Sequence, residues 1–217
     1  DYLVPTSVDG LTFGPYIGQL AAHAEKLAVV RGMAMEAVAH QVARRHVLTG
    51  IRPAGTTVRG PSVATLLATL LGEEEPIPNL VAGVPSFNLG QPLWATGLPT
   101  GSIEDLYKSL SPPELDILDS QRDALETFFE KQRACAAHAR TRDIYDNRNV
   151  ARTLIELGLN EHFNIESDAA DMVHLRDAFG VDSGATGEGG KLALMTAQAL
   201  TQGISRCVSF VAADGLD

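Results

Sequence analysis

The chain has 217 residues, of which 45% are hydrophobic and 20% are charged, the composition of an ordinary globular protein. Its formal net charge of −10 argues against non-specific binding to nucleic acids or anionic membranes. No apolar run reaches the roughly 18 residues that a membrane-spanning helix needs. The length suffices for one large α/β domain, or for one domain with a helical insertion.

The first part of the chain, residues 1–101, alternates helical and strand patterns. Apolar residues at helical spacing predict helices, and short apolar runs bounded by turn residues predict buried parallel strands. Segment 85–101 is rich in glycine and proline and predicts a long loop. The predicted helices are 13–27, 36–48 and 63–71, and the predicted strands are 27–30 and 78–83.

The middle of the chain is its most charged part and is predicted to be helical. Ser102 followed by Glu104 and Asp105 is a helix start signal. Residues 112–150 predict a helix of several turns with one apolar stripe, which offers a surface to a protein partner. Because a crossover between parallel strands needs only about a dozen residues, 102–160 is predicted to be a helical insertion or subdomain.

The last part of the chain returns to the α/β pattern. Residues 181–190 predict a flexible glycine-rich loop, 191–202 a helix and 204–213 a third strand. The predicted class is therefore α/β, with a parallel sheet flanked by helices that continues over 161–217 after the helical insertion. Because the chain does not begin with Met and stops soon after an apolar run, we expect a piece of a longer product.

The glycine-rich loop does not match a nucleotide-binding motif. A P-loop requires Gly-x4-Gly-Lys-Ser/Thr, and although Gly190 and Lys191 are adjacent, Ala185 and Leu192 occupy the other two positions. The dinucleotide fingerprint fails as well, because Leu192 stands where its third glycine should fall. The loop is therefore interpreted as a flexible helix entry or a loop on the substrate side.

Two carboxylates near the end of the chain are candidate metal ligands. Asp214 and Asp217 follow the third predicted strand, and α/β proteins bind ligands just past the ends of such strands. They suit a divalent ion such as zinc, calcium or manganese, although a simple Asp-Gly turn explains them equally well. Cys135 and Cys207 have no CxxC neighbour, so a zinc knuckle is excluded. Two buried free thiols are expected, and a disulfide between them in an oxidising compartment is the alternative.

Residues 40–46 combine two histidines and two arginines on a predicted helix. His40 and Arg44 are four positions apart and share one face. His40 and His46 lie about 240° apart around an ideal helix, so one straight helix does not present both to one metal ion. The His/Arg face indicates either an anion-binding site, with Arg44 as a fork-shaped donor, or a solvated basic helix.

This arrangement resembles the alkaline phosphatase/sulfatase superfamily, in which a strand leads into a nucleophile-bearing helix that ends in Thr-Gly-x-x-Pro. Arg44 falls on the sulfatase arginine, and 49–53 matches the helix ending. His40 falls on the nucleophile position, and 34–47 contains no Ser, Thr or Cys. The resemblance therefore implies an anion-facing helix, with His40, Arg44 and His46 around the anion, that lacks the usual nucleophile.

One branch of the superfamily is a closer match, namely twin-arginine-exported bacterial proteins that carry domain of unknown function fifteen-oh-one. The matching segments lie in the same order in both: 11–15, 27–33, His40, His46, 49–50, 60–62 and 215–217. The resemblance implies an extracytoplasmic protein that hydrolyses phosphate or sulfate esters with a divalent metal. Asp217 is the implied metal ligand, and Asp214 is a second candidate. Its implied ligand is a small anionic ester or an anionic polymer. The missing nucleophile leaves an alternative, a non-catalytic exported binding or assembly protein with the same fold.

Overall fold

The computed structural model describes every residue except 1, 31, 33, 38, 114–117, 185 and 213–217. The chain divides into two compact units, Asp1–Val38 and Ala39–Asp217. In the first unit, strand β1 (Val4–Pro5) pairs antiparallel with strand β2 (Thr12–Phe13), and a 3-10 helix follows over Pro15–Lys26. The small core of this unit consists of Phe13, Ala21 and Ala24.

The strand predicted over 27–30 is wrong. These residues form no strand, and Leu27, Val29 and Val30 are 42%, 51% and 72% exposed. A short apolar run becomes a strand only when its backbone groups form hydrogen bonds with a neighbouring strand. The sequence of the run does not show whether such a neighbour is present. The helix predicted over 13–27 is present as the 3-10 helix, which begins at a proline, as helix starts often do.

A three-stranded parallel sheet lies in the second unit. Strand β3 (Leu80–Ala82) lies between strands β4 (Leu98–Thr100) and β5 (Val208–Phe210), and both run parallel to it. Because the ends of all three strands are in register, their carboxyl ends meet at one edge. The α/β class, with a parallel sheet flanked by helices, is confirmed, and so are the buried strand within 78–83 and the central part of the strand within 204–213.

Strand β4 lies inside the segment that was predicted to be a long loop. Pro99 occupies its middle position, and proline cannot donate a hydrogen bond to a neighbouring strand. β4 is at the end of the strand order, where one side of a strand needs no partner, so a proline is tolerated there. The same residue therefore marks an edge strand in the structure and suggests a loop in the sequence.

Seven α-helices are found within the described parts of the chain, joined by short 3-10 turns at Leu93–Ala95 and Leu159–Phe163. Gly50 ends the first helix in the left-handed conformation, with φ of 68°. Ser102 caps the third helix as predicted, because its hydroxyl accepts the Asp105 N–H at 3.0 Å. The helices are α1 (His40–Thr49), α2 (Val63–Leu71), α3 (Ile103–Leu110), α4 (Asp119–Cys135), α5 (Ala139–Glu156), α6 (Ala170–Ala178) and α7 (Gly187–Thr201).

The single long helix predicted within 112–150 is wrong, because this region contains the two helices α4 and α5 with a break near Ala136. The two helices pack against each other. Arg148 of α5 binds both carboxylate oxygens of Glu126 in α4, at 2.7 and 3.0 Å, and lies 4.0 Å from the centre of the Phe129 ring. Of the predicted apolar stripe, Phe129 thus packs toward α5, whereas Phe128 remains 52% exposed.

The main core of the second unit joins the sheet to α3, α6, α7 and the 3-10 turn at Leu159–Phe163. Its fully buried side chains include Leu80, Ile103, Leu106, Phe163, Leu194, Met195 and Ile204. A separate helical subdomain over 102–160 stays a prediction. Among the residues described, no helix has the length and apolar character that crossing a membrane requires.

Candidate functional site

The carboxyl ends of the three parallel strands form the edge at which α/β proteins usually bind ligands. β3 continues there into Gly83, β4 into Gly101 and β5 into Val211. Helix α1 reaches this edge, because Nη2 of Arg44 donates a hydrogen bond to the Gly83 carbonyl at 2.7 Å. The helix that was predicted to face an anion therefore lies beside the expected ligand-binding edge.

The contact between Arg44 and Gly83 leaves most of the guanidinium for another partner. A guanidinium has five N–H donors, and the remaining donors of Arg44 make no hydrogen bond to any residue that the structure describes. Gly83 has φ of 69°, and a Cβ at this position would lie 3.3 Å from Cγ2 of Val211. A glycine is thus suited to this turn, which presents its carbonyl to Arg44.

The two histidines of α1 occupy different positions. His40 is the first residue of the helix and is exposed, whereas His46 is half-buried in the last turn. Because α1 is helical over the whole interval, the six-residue separation leaves the two imidazoles on different faces. Of the three predicted anion contacts, the structure brings Arg44 to the sheet edge through a direct hydrogen bond, and the role of the two histidines stays a prediction.

Arg45 is a candidate that the sequence did not single out. Its Nη1 is buried and has no acceptor among the described residues. An unpaired buried donor costs about 1–3 kcal/mol, and more when it is charged, so an anion at this nitrogen would stabilise the fold. No sequence signal distinguishes Arg45 from a solvated arginine, because its burial depends on side chains outside α1.

The amino ends of two further helices lie near the same edge. α3 begins directly after β4. The first turn of α7 lies close to the residues after β5, because a Cβ at Gly189 would collide with the Ala212 carbonyl. The amino end of a helix carries partial positive charge, so both helices favour a negative ligand at this edge. The arrangement is typical of parallel α/β sheets and does not by itself select a ligand.

Lys191 of α7 and Glu104 of α3 form an ion pair beside this edge, with 2.6 Å between Nζ and Oε1. The hydrogen bond from Lys191 to Glu104 raises the pKa of Lys191, against a smaller opposing effect of burial. Burial raises the pKa of Glu104, but the hydrogen bonds and the positive charge of Lys191 together outweigh it, so that pKa is lowered. The charge of Lys191 is therefore neutralised locally, and Arg44 is the better anion contact.

An open groove of about 430 Å³ lies between α1, α2 and the sheet. Leu48 of α1 and Ala64 of α2 contribute apolar walls, together with Val81 of β3. Ser62 and Ser86 contribute hydroxyl groups, and Ser86 is only three residues beyond the Arg44 contact at Gly83. The groove offers an apolar surface with a few hydroxyls to the organic part of a ligand.

No protein-family model, curated protein or solved structure matches this chain. The resemblance to the alkaline phosphatase/sulfatase superfamily and to its twin-arginine-exported branch therefore stays a prediction. The extracytoplasmic location and the ester hydrolysis that follow from this resemblance stay predictions as well.

The candidate metal ligands Asp214 and Asp217 lie outside the described residues. Within the part of the chain that is described, no group of three or more His, Cys, Asp or Glu side chains is placed to hold a metal ion. The described side chains alone do not provide a metal centre for zinc, calcium or manganese.

The two cysteines are free, as predicted, but they differ in burial. Cys207 is buried just before β5, and burial raises the pKa of its thiol. Cys135 is exposed at the end of α4, so the prediction that both thiols are buried is wrong for this residue. α4 contributes no buried residue in this structure, and its last turn therefore remains open to solvent.

Proposed function

We propose that the protein binds a small anionic ester at the carboxyl edge of its parallel sheet. The observation that carries this proposal is the hydrogen bond from Arg44 to Gly83, because it holds a cationic side chain at the usual ligand edge. The free N–H donors of Arg44 suit phosphate or sulfate oxygens, which a guanidinium binds in a fork geometry. The groove between α1 and α2 takes the organic group of the ester.

The finer proposal is an extracytoplasmic protein of the alkaline phosphatase/sulfatase type, exported by the twin-arginine route and active as an ester hydrolase at full length. Its support is the resemblance in sequence, together with an α/β fold in which α1 ends at the Thr49-Gly50 pair that the resemblance requires. A divalent ion bound through Asp214 and Asp217 belongs to the same proposal. It would polarise the ester and activate the attacking group.

Replacing Arg44 tests the anion site. Calorimetric titration with inorganic phosphate, inorganic sulfate and phenyl phosphate is expected to give measurable binding to the parent protein. Arg44→Ala should weaken this binding about tenfold or more, because a charge-assisted hydrogen bond is lost. The affinity of Arg44→Lys should lie between those of the parent protein and Arg44→Ala. Arg59→Ala, which removes an exposed arginine of the same region, should leave the affinity unchanged. Equal affinities for the parent protein and Arg44→Ala would exclude this role of Arg44.

A second candidate function is that of a non-catalytic binding or assembly protein with this fold. It is favoured by the sequence of α1, in which no Ser, Thr or Cys occupies the positions where the superfamily carries its nucleophile. The surface of α4 and α5 would then contact a protein partner. Assays of nitrophenyl phosphate and nitrophenyl sulfate with added zinc, calcium or manganese separate the two functions. Phosphate binding without turnover supports the binding protein, whereas turnover that Arg44→Ala abolishes supports the hydrolase.

A further inference from the structure

A second groove, of about 790 Å³, lies at the amino ends of β3 and β4, away from the edge that Arg44 contacts. One wall is formed by residues that lead into the two strands, including Ile77, Trp94 and Gly97, and the other wall is formed by α5. We call it the tryptophan groove. Its volume falls in the range of about 300–1,000 Å³ that is usual for small-molecule sites.

The wall that α5 contributes is polar at one end and apolar at the other. Its lining residues recur at the spacing of a single helical face, so they form a continuous stripe along the groove. The stripe consists of Asp143, Asp146 and Asn147, followed by Val150, Ala151 and Leu154. An elongated ligand in the groove therefore meets polar groups at one end and hydrocarbon at the other.

The opposite wall is apolar and includes exposed surface. Trp94 is 38% exposed and Leu93 is 71% exposed, and both line the groove, as does Val150 of α5, which is 57% exposed. Large apolar side chains that remain open to solvent on both walls of one groove favour an apolar ligand. The indole face of Trp94 also attracts cations, through the quadrupole of the ring.

The charged residues of the groove indicate the charge of its ligand. Its lining contains the carboxylates of Glu75, Asp143 and Asp146, and no Lys, Arg or His is among the described residues that line it. Arg206 pairs with Glu75 and Arg133 pairs with Asp146. Asp143 forms no ion pair or hydrogen bond with any described residue, so its carboxylate at the polar end of the stripe is open to a cationic ligand.

We propose that the tryptophan groove binds a small amphiphilic organic cation. The cationic head lies at Asp143, and the hydrocarbon chain packs between Val150 and Trp94. The charge complementarity of the polar end and the exposed apolar surface of the other end both support this occupant. The proposal is independent of the anion site, because the two grooves share no lining residue.

Fluorescence tests this proposal directly, because Trp94 is the only tryptophan of the chain. Decyltrimethylammonium, added to the intact protein below its critical micelle concentration, is expected to change the emission of Trp94 in a saturable way. Decanol and decyl sulfate, which carry the same chain with no charge or a negative charge, should bind at least about fivefold more weakly. Equal binding of all three compounds, or no saturable change with the cation, would overturn the proposal.

Substitutions locate the binding site within the groove. Asp143→Asn should raise the dissociation constant of decyltrimethylammonium about fivefold, as expected when a half-exposed ion pair is lost. Val150→Ser should also weaken the binding of the cation. Circular dichroism should show that both variants keep their helices. Asp123→Asn on α4, outside the groove, is the matched control and should bind as the parent does. The proposal would be contradicted by an unchanged affinity in both groove variants. It would also be contradicted if the emission of Trp94 depended on protein concentration, because a second copy of the chain would then cover the groove.

Discussion

At the scale of single residues, the ion pair between Glu104 and Lys191 links the amino-terminal parts of α3 and α7 beside the carboxyl edge. The two residues are 87 positions apart, so no local pattern in the sequence indicates their contact. Their side chains are 34% and 29% exposed, and solvent screens a pair of this kind considerably. We therefore expect the pair to contribute modestly to stability and to depend on pH.

The pKa shifts determine the pH range over which this pair stabilises the fold. The pKa of Glu104 is lowered below its ordinary value of 4.5, so its contribution is present above that pH and is lost as pH falls through the folded-state pKa. The pKa of Lys191 is raised above its ordinary value of 10.5, so its contribution is present below that pH and is lost as pH rises through the folded-state pKa. The pair therefore stabilises the protein throughout the neutral range.

Replacing Glu104 by Gln tests this pH dependence. At neutral pH the free energy of unfolding is expected to fall by about 0.5–1 kcal/mol, because an ion pair that is about one-third exposed is lost. At an acidic pH below the folded-state pKa of Glu104, the difference between variant and parent should shrink, since Glu104 of the parent is then protonated as well. Urea unfolding at the two pH values measures both differences. Glu188→Gln, which removes the longer and more exposed contact to Lys191, is the control and should have a smaller effect.

Single-residue predictions succeeded where the determining interaction is local. The cap at Ser102 was predicted correctly, because it depends on the hydroxyl of one residue and an N–H three residues later. Arg44 was recognised as a donor, but its acceptor, the Gly83 carbonyl, belongs to a different element and could not be read from the sequence. The buried nitrogen of Arg45 was missed for the same reason, since its surroundings come from tertiary packing.

At the scale of elements, the start of α7 shows why glycine-rich sequence does not always indicate a loop. Residues 181–190 were predicted to be flexible, yet α7 begins at Gly187 and Gly190 is buried in its first turn. A Cβ at Gly190 would lie 2.8 Å from the Phe179 carbonyl and would collide with the Thr186 side chain. The absence of a side chain is therefore required for packing at this position rather than for flexibility.

A substitution at Gly190 tests this explanation. Alanine is favoured over glycine in a helix by about 1 kcal/mol, so flexibility or helix propensity alone predicts that Gly190→Ala is stabilising. The collision predicts a net loss of about 1–3 kcal/mol in the free energy of unfolding, measured in urea. Gly101→Ala is the control, because its Cβ would meet only the carboxylate end of Asp105, which can rotate away. A variant Gly190→Ala as stable as the parent would show that the first turn of α7 is loosely packed.

Strands were harder to predict than helices because their formation depends on a partner. The exposed run at 27–30 and the buried β3 both looked like interior strands, and only β3 has neighbours on both sides. β4 was missed because Pro99 and the surrounding glycines resemble a loop, although parallel pairing with β3 makes it a strand. Helices α1 and α2 and the start of α3 were predicted well, since the signals for them lie within the segment itself.

At the scale of the whole molecule, the chain has separate buried clusters in its two units. The main core draws on side chains between Ile77 and Ile204, whereas the cluster of Phe13, Ala21 and Ala24 lies entirely within the first unit. The strands follow the same division, because β1 pairs with β2 and β3 pairs with β4 and β5. The sequence predicted the α/β class but not this division, since a composition change near residue 38 is not evident.

Because each unit contains its own core, we expect residues 39–217 to fold without residues 1–38. The shorter chain should unfold cooperatively in urea with the same main transition as the full chain, and its free energy of unfolding should agree within about 1 kcal/mol. The slope of its unfolding free energy against urea concentration should change little, because that slope follows the surface that is exposed when the main core unfolds.

A chain that also lacks 187–217 is the matched control. It has lost α7 and β5, which supply Leu194, Met195 and one side of the sheet, so it should show no cooperative transition. If residues 39–217 aggregate or unfold without cooperativity, while the full chain does not, the stability of the main core depends on the first unit.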